Sequence, residues 1–393
     1  MRISIINLCM LVCLLVLSVN VCTASDDAFD LRAIERPRIL DKAATYLRQL
    51  PVTVTATKAT RSAGGIHDFY SEGDYWWPDP DNPEGPYLRR DGLSNPGNFV
   101  AHRNVMIRFS EIVGTLVSAY ILTGDTAYAE QALEHLDAWF INENTRMNPS
   151  LLYSQAIKGR VTGRSIGIID TIHLVEVARG VQVLEQGNAL PAAKLSAVKD
   201  WFREYLDWLQ THPYGQEERV HPNNHGVCWS MQAAAFADLV GQADTLAWVR
   251  NQFKTVYLED MMASDGSFPA ELNRTKPYGY SLFVLDAMAT VAQIASTADD
   301  DLWTFVLPDG RGLKQGIAYM FPYIRDKNSW PYPKDVLYWA DWPVRQPSLL
   351  FAGLRFDESS YLELWKGLEA DPATAEIVRN LPVRHPLLWL TRY

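Results

Sequence analysis

The strongest constraint in this 393-residue sequence is a helical periodicity that recurs along most of its length. Apolar residues repeat at three- and four-residue spacing, which is typical of amphipathic helices, and alternation with a period of two is scarce. The periodic segments cover residues 31–49, 105–122, 126–141, 166–184, 192–211, 225–240, 244–262, 280–297 and 311–324. Short turn signals separate them. The pattern predicts an all-α fold of stacked antiparallel helix hairpins, an (α/α) toroid or incomplete α/α barrel.

Two stretches interrupt the periodicity, residues 62–103 and residues 327–347. Both are too rich in Pro, Gly and Trp to be helices. Long irregular segments inside a compact domain are commonly functional. We therefore predict that both stretches are loops over the mouth of the toroid.

The N-terminus has the features of a secretory signal peptide. Arg2 precedes an apolar run from Ile3 to Val19, and a small-residue site follows, so we expect cleavage after Ala24. Cleavage would leave Cys228 as the only cysteine, and a chain with one thiol has no internal disulfide. The expected location is periplasmic or secreted.

A lipid anchor at Cys22 is disfavoured, because bulky Val21 precedes it where a small residue is expected. We predict no stable membrane span in the mature chain. The net charge of −10 argues against nucleic acid, whose binding depends on phosphate neutralisation. An anionic sugar polymer remains compatible with this charge if basic residues gather in one cleft. Many aromatic residues (13 Trp and 18 Tyr) can stack on sugar rings or fill the core.

The tetrapeptide Asn223-Asn224-His225-Gly226 stands at the start of an apolar helical segment. Asn223 is suited to cap this helix, because its side chain can accept from the first free backbone N–H groups. The helix end also favours an anion, and a carboxylate bound there would meet Asn224, with His225 close by. The same residues also fit a plain cap followed by a hydrogen-bonded core histidine.

A second polar stretch, Arg274-Thr-Lys-Pro-Tyr278-Gly-Tyr280, begins another helical segment. A guanidinium has a planar fork that matches a carboxylate. Tyrosine, with a pKa of about 10, is a poor base unless nearby cations favour its phenolate. Arg274 and a protonated His225 can supply that charge. Together the two stretches hold the groups needed to bind a carboxylate and remove a proton beside it, although the second alone also fits a packing role.

Other aromatic and polar residues are candidates for contacts with a sugar chain, although several also fit packing, capping or solvated-loop roles. They are Tyr75, Trp76, Trp77, Arg90, His102, Arg103, Gln155, Arg164, Tyr278 and Arg345. The sequence has no Gly-rich phosphate loop, no serine nucleophile elbow and no metal-ligand spacing. We therefore predict no cofactor and no metal, and we expect a monomer.

Several motifs between about His67 and Phe356 resemble those of the alginate-lyase-type polysaccharide lyases. They are Gly73-Asp-Tyr-Trp-Trp-Pro-Asp-Pro80, Arg90-Asp-Gly92 with Asn95-Pro96, Met147-Asn-Pro149 with Tyr153-Ser-Gln155-Ala, Gly163-Arg164 with Gly167-Ile-Ile-Asp170, Asn223-Asn-His-Gly226, and Glu271-Leu-Asn-Arg274 with Tyr280. The resemblance implies an α/α toroid. No Pro-, Ser- or Gly-rich linker divides the chain, so we predict a single catalytic domain over residues 25–393. The resemblance also implies cleavage of β-1,4-linked uronans by syn β-elimination, which leaves unsaturated uronate ends.

In that family the matching Asn and His bind the carboxylate or assist proton transfer, the Arg neutralises charge, and the Tyr is the acid and base. The resemblance implies these roles for Asn224, His225, Arg274 and Tyr280. The interval from Arg to Tyr is shorter here than in the mannuronate-specific alginate lyases, and Tyr278 offers a competing phenol. The chain looks closer to the branch that includes glucuronan-cleaving lyases.

The sugar specificity stays open because mannuronate and glucuronate differ at C2, whereas elimination uses C4 and C5. In both sugars the C5 hydrogen and the C4 oxygen lie on the same side, so one tyrosine can serve both steps. Two other functions are also compatible with the sequence. A glycoside hydrolase on a similar toroid would use carboxylates such as Glu143, Asp170 or Asp286, and a non-catalytic protein would only bind the uronan.

Overall fold

Helices dominate the computed structural model, which describes residues 29–390. The helices are α1 (Leu31–Tyr46), α2 (Ala101–Thr123), α3 (Thr126–Phe140), α4 (Leu174–Gln186), α5 (Ala192–Thr211), α6 (Pro213–Arg219), α7 (Asn224–Val240), α8 (Ala243–Gln252), α9 (Pro269–Leu272), α10 (Pro277–Ala295), α11 (Leu313–Arg325), α12 (Pro347–Arg355), α13 (Ser359–Gly367), α14 (Ala375–Arg379) and α15 (Leu387–Leu390). The strands are β1 (Tyr70–Glu72), β2 (Trp76–Trp77), β3 (Leu88–Arg89) and β4 (Tyr153–Ala156).

The helices form two layers. In the inner layer α2, α4, α7, α10 and α12 follow one another, and each contacts the next. Outer helices cover them, with α1 and α3 on α2, α5 and α8 on α7, α11 on α10, and α13 on α12. Nearly every residue of α7 and α10 is buried, as expected for helices that are apolar on all sides. This arrangement is the α/α toroid that the periodicity predicted.

The predicted helical segments agree with the structure, with two local differences. The segment at 166–184 begins as a 3₁₀ helix, Ser165–Thr171, before α4, and the segment at 244–262 continues from α8 into a π-helix, Phe253–Leu258. The short helices after residue 346 were not predicted. They span nine residues or fewer, so they complete too few turns to give a clear periodicity.

Helix α2 is the one helix among residues 29–390 that is long and apolar enough to cross a membrane by length and composition. The sequence predicted no stable membrane span in the mature chain. In the structure 67% of its most apolar stretch is buried, and it packs against α1, α3 and α4. These contacts are those of a core helix.

The stretch at 62–103 is more ordered than a simple loop, and α2 begins inside it at Ala101. Strands β2 and β3 pair antiparallel, whereas β1 pairs parallel with the distant β4. Strands of two to four residues are too short for an alternating pattern to be visible in the sequence.

The stretch at 327–347 is anchored to the beginning of α10 by a buried carboxylate. Asp335 accepts hydrogen bonds from the backbone N–H groups of Tyr278 and Gly279, both at 2.9 Å. These are two of the donors that a helix N-terminus leaves without an internal partner. A β-carbon on Gly279 would lie 2.9 Å from both Asp335 and Trp342, so glycine permits this close approach.

We expect Leu282→Ala to destabilise the fold by about 2–5 kcal/mol, because truncating a fully buried leucine in α10 removes apolar contacts and leaves a cavity. Leu50→Ala is the matched control, since Leu50 is 84% exposed and its truncation should change the unfolding free energy by less than about 0.5 kcal/mol. Urea unfolding curves measure both. Equal effects of the two substitutions would contradict the assignment of α10 to the core.

Candidate active site

The beginnings of α7 and α10 meet at a cavity of about 350 Å³ beside the β2–β3 hairpin. The cavity brings together eight of the predicted site residues: Tyr75, Trp76, Gln155, Arg164, Asn224, His225, Arg274 and Tyr280. The lining also includes Asp74, Arg89, His221, Asn223, Arg379 and Asn380, which were not predicted as site residues. The cavity therefore combines aromatic rings with several cationic groups.

At the beginning of α7 the backbone N–H groups already have partners within the protein. The side chain of Asn223 accepts from the backbone N–H of His225 at 3.0 Å, which confirms the predicted N-cap. Glu271 accepts from the backbone N–H of Asn224 at 2.7 Å and from its side-chain amide at 2.9 and 3.0 Å. The expectation that this helix end receives a substrate anion does not fit, because the carboxylate of Glu271 occupies the position.

His225 is oriented by a second buried carboxylate. Its Nδ1 lies 2.7 Å from Oε1 of Glu218, a fully buried residue of α6. A carboxylate accepts hydrogen bonds, so Nδ1 carries the proton of this contact. Nε2 is then an acceptor in neutral His225 and a donor in the imidazolium. The neighbouring His221 ring lies 5.2 Å away, and burial, followed by the charge of His225, lowers the pKa of His221.

Tyr280 presents its hydroxyl to the cavity between another phenol and a guanidinium. Oη of Tyr280 lies 2.7 Å from Oη of Tyr75 and 3.4 Å from Nη2 of Arg274. Burial raises the pKa of Tyr280 well above its ordinary value, and Tyr75 acts in the same direction, while Lys276 and Arg274 oppose the change. Tyr280 is therefore a neutral phenol in the ligand-free protein at neutral pH.

Tyr278 does not reach the cavity, although it was a competing candidate. Two residues along a helix correspond to a rotation of about 200°, so Tyr278 and Tyr280 point to nearly opposite sides of α10. The hydroxyl of Tyr278 donates to the carbonyl of Tyr323 at 3.1 Å, and its ring packs edge-on against Trp330 and Trp339. Its position is that of a packing residue rather than a substrate-binding one.

Arg274 is held in place by Asp91 from the loop after β3. Its Nη2 and Nε donate to this carboxylate at 3.1 and 3.4 Å, and the hydroxyl of Thr275 donates to it at 2.9 Å. Partial burial would raise the pKa of Asp91, but its hydrogen bonds and ion pair with Arg274 lower it to about 2. Asp91 is therefore ionised throughout the neutral range and fixes the guanidinium beside Tyr280.

Below the cavity two buried aspartates are neutralised by two arginines. Asp74 is bidentate with Arg103 at 2.6 and 2.9 Å and lies 3.0 Å from Arg379. Asp170 lies 3.4 Å from Arg103 and 3.6 Å from Arg379. Burial would raise the pKa of Asp74, but the two guanidinium groups lower it. Arg103 was predicted to bind substrate, but its contacts are these buried carboxylates.

Strand alternation decides which tryptophan and which arginine face the cavity. Trp76 and Trp77 are consecutive in β2, so their side chains point to opposite faces, and Trp76 lies opposite Arg89 of β3. Trp76 and Arg89 line the cavity. Trp77 instead donates to the carbonyl of Leu93 at 2.8 Å and stacks with Arg90. The predicted roles of Trp77 and Arg90 in substrate binding do not fit these positions.

Gln155 orients Arg164, whose guanidinium lies 5.9 Å from the ring centre of Trp76. The Gln155 side-chain oxygen accepts from Arg164 at 2.9 Å, and its backbone carbonyl accepts from the same guanidinium at 3.0 Å. Burial lowers the pKa of Arg164 to about 10. Gln155 has a positive φ of 47°, a conformation that costs free energy for a residue with a β-carbon and that is found preferentially at functional sites.

His102 and Arg345 also lie outside the cavity. The backbone N–H of Tyr70 donates to Nδ1 of His102, and Nε2 of His102 donates to the carbonyl of Thr57, so both ring nitrogens are used. Arg345 pairs with the buried Glu35 at 2.8 Å and stacks on Trp365. Both side chains have structural partners, and their predicted contact with substrate does not fit.

Some of the cavity-lining residues that were not predicted had a signal in the sequence, and others had none. His221 precedes the Asn223-Asn224-His225 motif by two positions, and its proximity was a usable signal. Arg379 is the last residue of the short helix α14, and Asn380 follows it. A single arginine and a single asparagine this far along the chain carry no recognisable pattern.

An α/α toroid with an aromatic, cationic cavity is an architecture suited to an anionic polysaccharide. The alginate lyase family profile matches residues 53–330, most of the chain, and the protein belongs to that family. It is therefore a polysaccharide lyase. Among curated protein sequences, none matches this chain.

Solved structures are also similar to this chain. An alginate lyase from Bacteroides ovatus superposes with a TM-score of 0.78 and 30% sequence identity, covering 92% of this chain and 94% of the other. Alginate lyase A1-III from Sphingomonas species A1 shares the fold, with a TM-score of 0.55 and 17% sequence identity over 90% of this chain and 95% of the other. A variant of A1-III complexed with a tetrasaccharide has a TM-score of 0.58 and 16% sequence identity over 90% of this chain and 94% of the other.

We expect Asp91→Asn to lower kcat/KM by about 10- to 100-fold, because it removes a charged hydrogen-bond partner that holds Arg274. Asp81→Asn, at an exposed position between β2 and β3, is the control and should leave kcat/KM unchanged. Steady-state kinetics on a cleaved uronan measure both. Unchanged activity in Asp91→Asn would show that Arg274 needs no fixed orientation.

Proposed function

We propose that this lyase cleaves β-1,4-linked uronans, either mannuronate-rich alginate or glucuronan, by syn β-elimination, with Tyr280 as both base and acid. The observation that carries the proposal is the position of the Tyr280 hydroxyl, which shares one cavity with His225 and lies 3.4 Å from Arg274. Family membership and the alginate lyases with similar structures support the same reaction class.

The reaction needs one group that takes a proton and returns it on the same face of the sugar. The reactive form of Tyr280 is the phenolate, the minor form whose proton has passed to solvent; it removes the hydrogen from C5, and the C4–O4 bond breaks as a C4–C5 double bond forms. The neutral phenol then gives its proton to O4, the leaving oxygen, and the phenolate is restored. The C5–H electron pair forms the double bond, the C4–O4 pair stays on O4, and Tyr280 carries the proton from C5 to O4, so no second acid is required.

The uronate carboxylate must be neutralised before the C5 hydrogen can be removed. Arg274 supplies a guanidinium beside Tyr280, and Nε2 of protonated His225 supplies a second donor. The side-chain amide of Asn224 already donates to both oxygens of Glu271, so its predicted contact with the substrate carboxylate requires one of these hydrogen bonds to be given up. In this arrangement Glu218 and Glu271 position the binding groups, while Arg274 and His225 contact the substrate.

The same geometry supports neither of the other two functions. A hydrolase needs two carboxylates that face the scissile bond. Among the described residues that line the cavity, Asp74 carries the one carboxylate, and Arg103 and Arg379 pair with it. Asp170 and Asp286 are buried, and Glu143 lies on an exposed turn after α3. A protein that only binds uronan would not need a phenol buried beside an arginine.

We expect Tyr280→Phe to lower turnover by about 100-fold or more, because it removes the group that carries the proton. Turnover is measured as the rise in ultraviolet absorbance of the unsaturated uronate, with polymannuronate, polyguluronate and glucuronan as separate substrates. Activity on polymannuronate or glucuronan is expected, because both have the syn arrangement at C4 and C5.

The matched control is Tyr278→Phe, which removes a buried hydroxyl from the same helix turn outside the cavity and should keep most of the activity. No absorbance change with any uronan would refute the lyase reaction. New reducing ends without new absorbance would indicate hydrolysis instead. Full activity in Tyr280→Phe would refute the assignment of the base.

We also propose that the enzyme is exported, so that it meets its polymer in the periplasm or outside the cell. Residues 1–28, which contain the predicted cleavage site, lie outside the described part of the chain. Expression of the full sequence followed by N-terminal sequencing should give Ser25 as the first residue. An intact Met1, or a blocked and lipid-modified Cys22, would contradict cleavage after Ala24.

A further inference from the structure

The residue before α10 is a buried lysine surrounded by phenol rings. Nζ of Lys276 lies 5.1 Å from the ring centre of Tyr75, 5.2 Å from that of Tyr280 and 5.4 Å from that of Tyr338. Lys276 is only 4% exposed. Two of the three rings, those of Tyr75 and Tyr280, belong to the hydrogen-bonded phenol pair in the cavity.

A buried ammonium is costly, so its retention calls for a physical reason. Lys276 has one carboxylate partner, Glu376 of α14, and Glu376 also lies 3.4 Å from Arg379. One carboxylate thus serves two cations. An apolar side chain of similar length would fill the same space without the desolvation penalty of an ion pair. The pair is formally neutral, but the ammonium of Lys276 is the member that faces the Tyr280 ring, at 5.2 Å from the ring centre.

Tyr280 is faced by charged and titratable groups from several elements. Arg274 lies over its ring at 4.5 Å and is itself paired with Asp91, while Tyr75 contacts the hydroxyl. From α7, His225 lines the same cavity. Under the proposed function Arg274 and His225 bind the substrate carboxylate, which offsets their charge at the moment when the phenolate is needed.

Behind these groups, Glu376 and Arg379 approach from α14, and Asp74 approaches from the segment between β1 and β2. Arg379 is divided between Asp74, Asp170 and Glu376. A substrate carboxylate bound at Arg274 would offset the charge of Arg274. It would not offset the charge of Lys276, which also lies near the Tyr280 ring.

We propose that Lys276 is a positioning residue that acts through Tyr280, and that its ammonium stabilises the phenolate formed in the reaction. A phenolate delocalises negative charge into its ring, so a cation facing the ring favours ionisation even without touching the oxygen. This inference rests on the proposed role of Tyr280 as the base. It adds a second source of charge, independent of the residues that bind the substrate carboxylate.

The test is the pH profile of kcat/KM for Lys276→Met. Since Tyr280 has a pKa above its ordinary value, the wild-type rate should rise with pH, because the phenolate fraction increases about tenfold per unit below the pKa. Loss of the ammonium should move this rise upward by about one pH unit or more. At a fixed pH on the rising limb, kcat/KM then falls about tenfold.

Three further variants separate charge from structure. Lys276→Arg keeps the charge and should return the profile toward the wild-type position. Glu376→Gln keeps Lys276 but removes its counter-charge, and should move the rise in the opposite direction, to lower pH. Lys314→Met removes a lysine that faces Phe356 in the same way, at 5.0 Å on an exposed part of α11, and should change nothing.

Carbon-13 NMR of the tyrosine Cζ atoms makes the result independent of turnover. The Tyr280 resonance is identified by its absence in Tyr280→Phe, and its ionisation should shift upward in Lys276→Met and downward in Glu376→Gln. Unchanged ionisation of Tyr280 in both variants would overturn the proposal. Full activity of Tyr280→Phe would instead refute the proposed function, while the NMR titration still decides whether Lys276 acts on Tyr280.

Discussion

The arrangement of the cavity depends on two aspartates that are buried beneath it together with their arginines. Asp74 comes from the segment between β1 and β2 and Asp170 from the turn before α4, whereas Arg103 lies in α2 and Arg379 ends α14. Four segments distant in sequence therefore meet through charge. Removing one member of such a buried network leaves an uncompensated charge and costs about 3–5 kcal/mol. The network thus fixes the position of Asp74 and Arg379, which line the cavity together with its aromatic and cationic side chains.

The positive character of the cavity comes from side chains rather than from helix ends. The first N–H groups of α7 and of α10 are satisfied by protein carboxylates, Glu271 and Asp335 respectively. These carboxylates accept hydrogen bonds from the N–H groups that would otherwise attract an anion. The same hydrogen bonds join the two helices to neighbouring segments. Arg274 and Lys276 then face the Tyr280 ring from positions set by that rigid helix start.

The sequence predicted the toroid well because long helices carry a periodicity that does not depend on the rest of the fold. The segments that hold His225 and Tyr280 were also visible, since each places unusual polar residues at the start of an apolar helix. The choice of Arg89 over Arg90 was not predictable, because it depends on the pairing of β3 with a two-residue strand. Arg379 was missed for a different reason, since only the tertiary fold brings α14 to the cavity.

The position of α14 has a consequence for where this catalytic unit ends. The segment recognisable as alginate lyase stops at residue 330, yet Arg379 and Glu376 lie beyond it. A fragment cut at that boundary would keep both buried aspartates and the lysine among the phenols but lose their C-terminal counter-ions. The segment that matches the family is thus shorter than the set of residues whose charges balance, and a shortened version of this lyase must keep its C-terminal helices to retain that balance.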